Sequence, residues 1–171
     1  MYLRVSEGYA DQDLQYLSEL LNTLDNIVVD TVRRMSNSAD PESDGLTDRG
    51  EYFVGIGFCA YQQNITDTLT RTGISKERAL TLGPCYYEEM TFIAIVNAAA
   101  NWWKHSAEWV GQNENNSLAR RTQEVIAEVT ETEDYALSNV LAKLLGTGDI
   151  KLSALLPSLV LWRETVDHKR M

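Results

Sequence analysis

Five polar residues recur along one apolar segment, and their types are those of acid–base and phosphate chemistry: Asn97, Asn101, Lys104, His105 and Glu108. They lie within MTFIAIVNAAANWWKHSAEW, residues 90–109, at steps of three and four that an α-helix brings onto one face. Histidine can serve as general acid or base near neutral pH, and lysine can place a positive charge on an anion. Around the stripe stand Phe92, Ile93, Ile95, Val96, Trp102 and Trp103, enough hydrophobic surface to bury most of the helix. Buried polar groups cost free energy unless they are paired. The stripe therefore either hydrogen-bonds to neighbouring helices or lines a site, and the sequence leaves both open. A purely structural reading is also available. His105 suits the negative end of a helix, Lys104 and Glu108 fit an i,i+4 pair, and Trp102, Trp103 and Trp109 fit core or interface anchors.

The segments that must position this stripe read as helices from end to end. Leu14, Leu17, Leu21, Leu24 and Val28 recur at helical spacing over 11–35, with Asp11 as N-cap and Arg33 and Arg34 at the carboxyl end. A polar stretch over 36–48 (SNSADPESDGLTD) holds Pro41, Gly45 and the acidic residues Asp40, Glu42, Asp44 and Asp48. It is long for a connection and reads as either mobile or a partner contact. A second helix is predicted over 49–71. Strand competes for YFVGIGF, but Ile65 and Leu69 continue the helical period, and Gly55, Gly57 and Ala60 would let another helix approach closely. A short capped helix follows in SKERALTL, and Gly83-Pro84 breaks the chain ahead of the stripe helix, which Tyr86 and Tyr87 are expected to begin. After a polar loop at 111–116, caps at Ser117, Thr132 and Ser153 introduce three more helices. The fold class is all-α: one bundle of five to seven helices spanning 1–171.

Composition narrows the function classes. The net charge of −10 opposes generic nucleic-acid binding and suits a partner with a basic surface. The basic pairs Arg33/Arg34, Arg120/Arg121 and Lys169/Arg170 read as solvated helix faces. No apolar run approaches a membrane span, and the start MYLRVSEGYADQD carries no basic-plus-apolar leader, so a cytoplasmic protein with no membrane contact is expected. Cys59 and Cys85 have no partner at metal-ligand spacing and read as small buried hydrophobes. No phosphate-binding glycine loop, nucleophile elbow or paired-carboxylate motif is present. Glu88-Glu89 points two ways on a helix, and Glu124 with Glu128 lacks an accompanying histidine. No metal or cofactor is expected.

Asn101 to His105, NWWKH, resembles the core motif of the HEPN family, small helical-bundle proteins of bacterial defence and toxin–antitoxin systems. In that motif an arginine, often followed by asparagine, precedes three residues and a histidine. Asn101 and His105 match; the arginine position is Ala100. The resemblance implies a homodimer and, in intact members, ribonuclease activity on the scissile phosphate. Ala100 cannot stabilise phosphate charge, and Lys104 supplies a point charge in place of a planar fork. A non-cleaving member is the better expectation. The reading is thus a non-enzymatic acidic protein that binds a macromolecular partner, in bacterial or phage defence or counter-defence. Asp40, Glu42, Asp44, Asp48, Trp102, Trp103 and Trp109 are the binding candidates. The alternatives are a HEPN-like ribonuclease or its inactive relative using Asn101, Lys104 and His105, and an oligomeric structural protein.

Overall fold

Periodic apolar stripes fold most of the chain into helices that share one core. The computed structural model describes residues 3–5, 8–87, 89–109, 116–132, 134–146 and 149–169. Among these stand seven α-helices: α1 (Gln12–Met35), α2 (Leu46–Thr72), α3 (Lys76–Ala79), α4 (Phe92–Trp109), α5 (Ser117–Thr130), α6 (Ala136–Leu145) and α7 (Leu156–Lys169). A turn of 3-10 helix, Leu152–Leu155, leads into α7. The architecture is an all-α bundle in which α2 and α4 pack against each other, α1 lies on α2, and α5 and α6 close over α4. No helix among the described residues is long and apolar enough to cross a membrane.

The helical pattern breaks in two places the sequence reading missed. Strands β1 (Leu3–Val5) and β2 (Gly8–Ala10) form an antiparallel pair ahead of α1. A second pair, β3 (Cys85–Tyr87) and β4 (Met90–Thr91), joins Cys85 to Thr91 in an irregular register. Tyr86 therefore does not begin α4. It lies on a strand, half-exposed, with its ring against Phe92 and its hydroxyl 3.4 Å from Ser158 Oγ of α7. Cys85 is correspondingly exposed, whereas Cys59 is partly covered. The N-caps also shift. Asn116 caps α5 through its side chain, Tyr135 precedes α6 with φ +48°, and Ser153 falls inside the 3-10 turn. Most of the 111–116 loop, together with Glu88 and Arg170, lies outside the described residues.

Helix α4 carries the densest part of the core. Phe92, Ile93, Ile95, Val96, Ala98, Ala99 and Ala100 are all buried. Small residues set how closely α2 approaches. A Cβ built on Gly55 would overlap the Trp103 indole, and one on Gly57 would overlap Leu152. Both glycines cost helix propensity, and this close fit offsets that cost.

Three polar contacts, buried or partly buried, fix the elements around the core. The Asp25 carboxylate of α1 accepts the Leu152 N–H at 2.5 Å and the Ser153 N–H at 3.2 Å, capping the segment that starts α7. Glu51 of α2 does the same for α6, accepting the Leu137 N–H at 2.7 Å and the Ser138 N–H at 2.9 Å. Asp11 caps α1 and pairs with the buried Arg163 guanidinium of α7. Burial alone would raise the Asp11 carboxyl; the Arg163 charge and hydrogen bond, with the Leu14 N–H, outweigh it and hold it below the usual carboxylate range.

Candidate functional site

The polar stripe divides. Asn97, Asn101 and Lys104 turn toward α2, where one residue meets all three. Gln62 donates its Nε2 to Asn97 Oδ1 and to Asn101 Oδ1, each at 2.9 Å, and its Oε1 accepts from Lys104 Nζ at 2.6 Å. Gln62 and Asn101 are both buried. These are the pairings that buried amides require, so this part of the stripe is an interhelical network. Gln62 carries no motif. Its only sequence signal is position: it follows Phe58 by four residues and precedes Ile65 by three, on the buried face of α2.

His105 and Glu108 form the other part. His105 Nδ1 lies 3.1 Å from Glu108 Oε2, and the imidazole stacks on the Trp109 indole with ring centres 6.2 Å apart. The expected Lys104–Glu108 pair is replaced by these two separate contacts. The exposed Lys104 bonds Gln62 across the helix pair, and Glu108 is taken by the histidine one turn before it. Ala100, at the position of the HEPN-type arginine, is fully buried in the core, and its carbonyl faces Cys59 Sγ at 3.8 Å. The residues of the NWWKH segment thus diverge: Asn101 and Lys104 join at Gln62, while His105 remains with Glu108 and Trp109. Among the described residues no three His, Cys, Asp or Glu side chains are placed to hold a metal ion.

The acidic candidates lie elsewhere, at the start of α2. The connection is shorter than expected, 36–45, because Leu46 is buried and opens the helix. Asp48 then sits in the first turn of α2, where the helix dipole favours an anion. The loop is held by its own side chains. Asp40 accepts from the Ser43 hydroxyl at 2.7 Å and from the Ser43 N–H, which holds its carboxyl below the usual range. Ser38 donates to Asp44 at 2.6 Å, and the Tyr135 hydroxyl of the α6 cap donates to Glu42 at 3.4 Å. Short polar side chains bonding nearby backbone and one another order this segment without much apolar burial.

One turn beyond Asp48, Tyr52 is 55% exposed and meets the half-buried Trp103 edge-on, with ring centres 5.8 Å apart. Phe53 flanks Tyr52 at 5.6 Å. Of the tryptophans, Trp103 therefore borders the acidic face. Trp102 and Trp109 contact each other at 6.3 Å, toward the His105 end, and Trp109 is buried. Of the nearby cations, Arg33 pairs with Asp30, Arg49 bonds Thr31 and lies 5.1 Å above the Phe53 ring, and Arg34 lines a groove with Asp44. Comparison with protein-family models, curated proteins and solved structures finds no match for this chain.

Proposed function

We propose that this protein acts by binding a basic surface on a protein partner and not by catalysis. The observation that carries the reading is the exposed Tyr52, edge-on to Trp103 and one turn from Asp48 behind the acidic loop. Tyrosine and tryptophan supply rigid contact area, and their faces attract lysine and arginine. Carboxylates beside them complement a basic partner and steer its approach. The net charge of −10 adds to that steering. The engagement of Asn101 and Lys104 by Gln62, away from His105, weighs against the ribonuclease alternative. A setting in bacterial or phage defence rests on the HEPN resemblance alone.

The test is affinity capture from native-host lysate followed by mass spectrometry, with wild type and with the double variant Asp48→Asn/Tyr52→Ala. The expected result is a basic protein held by wild type, released by added salt and lost with the double variant. Capture that ignores both the variant and salt would place the interface elsewhere.

A further inference from the structure

A cleft of about 420 Å³ opens between α3, α4 and α5, on the opposite side of the Gln62 network from its α2 anchor. Its apolar lining includes Ala94, Ala98, Val125 and the exposed Leu118, and its polar lining includes Asn97, Asn101, Lys76 and Arg121. The network fixes which ends of the two asparagines face this space. The Lys104 ammonium can only donate, so Gln62 must present Oε1 to it. Gln62 then offers Nε2 to α4, and both asparagines must answer with their oxygens. Their Nδ2 groups, which have no acceptor among the described residues, are left for the cleft. One lysine thus sets a row of outward donors, one helical turn apart.

Charge points the same way. Lys76 and Arg121 have no ion-pair partner among the described residues, although the protein is acidic overall. Loss of water around the Lys76 ammonium, and then the Lys104 charge, hold it below the ordinary lysine range, and an anion beside Lys76 would offset both effects. Glu77 and Glu124 also line the cleft and balance these two charges, but Glu124 is already 3.7 Å from Arg120.

We propose that this cleft binds a small carboxylate carrying a short apolar body. The carboxylate takes the Asn97 and Asn101 N–H groups with Lys76 and the planar Arg121 fork, and the body lies on the alanine, leucine and valine lining. A monoanion fits better than a phosphate dianion because Glu77 would repel the second charge.

The test is a ¹⁵N–¹H NMR titration of the full chain with sodium hexanoate as probe. Expected are saturable shifts in the millimolar range for backbone amides of 94–101 and 118–125, together with movement of the Asn97 and Asn101 side-chain NH₂ signals. The neutral analogue 1-hexanol, with the same chain length, binds at least about tenfold more weakly, and the exposed double variant Lys76→Gln/Arg121→Gln loses about tenfold for hexanoate while its binding of 1-hexanol is unchanged. The proposal is overturned by any of four outcomes: no saturable shift, equal binding of 1-hexanol, indifference to the double variant, or inorganic phosphate moving the same signals at the same concentration.

Discussion

Two of the contacts between α2 and α4, about two helical turns apart, work by opposite means. At Gly55 the contact is dry and steric: the missing Cβ is the space that the Trp103 indole occupies. At Gln62 it is polar and directional: one carboxamide reads the orientation of Asn97, Asn101 and Lys104. Cys59 lies between them, against the Ala100 carbonyl. A steric contact sets distance and is indifferent to charge. A hydrogen-bonded one sets register and polarity, and is satisfied only when every member is present. The same pair of helices thus receives its spacing from one contact and its chemistry from the other.

The steric contact should break hardest. Gly55→Ala forces the indole out of its place and is expected to cost about 3 kcal/mol, at the upper end of overpacking substitutions. Urea melts measure it. Adding Trp103→Ala should recover part of the loss, because the overlap partner is then gone. A Gly55→Ala protein as stable as wild type would mean that α2 and α4 are not spaced by this glycine.

The polar contact should break more gently. Gln62→Leu leaves Lys104 free to turn to solvent but strands the buried Asn101 oxygen, and about 1–3 kcal/mol of stability should be lost. Gln62→Glu separates size from polarity. A carboxylate still accepts from Lys104, yet it cannot donate to the asparagines, which must then turn their NH₂ ends inward. Stability close to wild type with inverted asparagine orientation, seen as changed side-chain NH₂ shifts, is expected for Gln62→Glu. Unchanged shifts would show that Gln62 does not set their orientation.

Cys59 reports on the seam between the two contacts. Burial pushes its thiol up from the ordinary range, with the Lys104 charge opposing, so little thiolate is present at neutral pH. Cys85 is exposed on β3. A thiol reagent should therefore label Cys85 first and Cys59 slowly, and Gly55→Ala should speed Cys59 without changing Cys85. Equal rates at both positions in wild type would mean that the seam is open.

These two contacts also divide what sequence can convey. The steric one was legible: glycines inside a helical period imply a close neighbour, and Gly55 and Gly57 both have one. So were α1, through its leucine spacing and the Asp11 cap, and α3, through Ser75. The polar contact was half legible. The stripe on α4 was evident from spacing, but its partner was one glutamine in QQN, indistinguishable in type from its solvated neighbour Gln63. Asp25 and Glu51 were missed for the same reason. Each accepts from a backbone N–H 86 or more residues further along the chain, and no local pattern announces a partner that distant. The β3–β4 pair escaped because CYYEEMT supports strand or helix equally, and its pairing depends on the break at Gly83-Pro84 and on where Phe92 packs.

The smallest effect is expected at the part of the stripe that neither contact uses. His105 bonds Glu108 on its own helix and stacks on Trp109, and neither partner belongs to α2. An exposed i,i+3 pair contributes only a few tenths of a kcal/mol, so His105→Ala should change stability by less than about 0.5 kcal/mol. It should be equally silent toward RNA. Phosphodiester cleavage needs donors aimed at developing negative charge. The position that would supply an arginine is the buried Ala100, and the nearest lysine is bonded to Gln62. Wild type and His105→Ala, incubated with total RNA and with tRNA at low salt, should leave both substrates intact to the same degree. Cleavage by wild type that disappears in the variant would mean that the free end of the stripe, and not the networked end, is where this protein does chemistry.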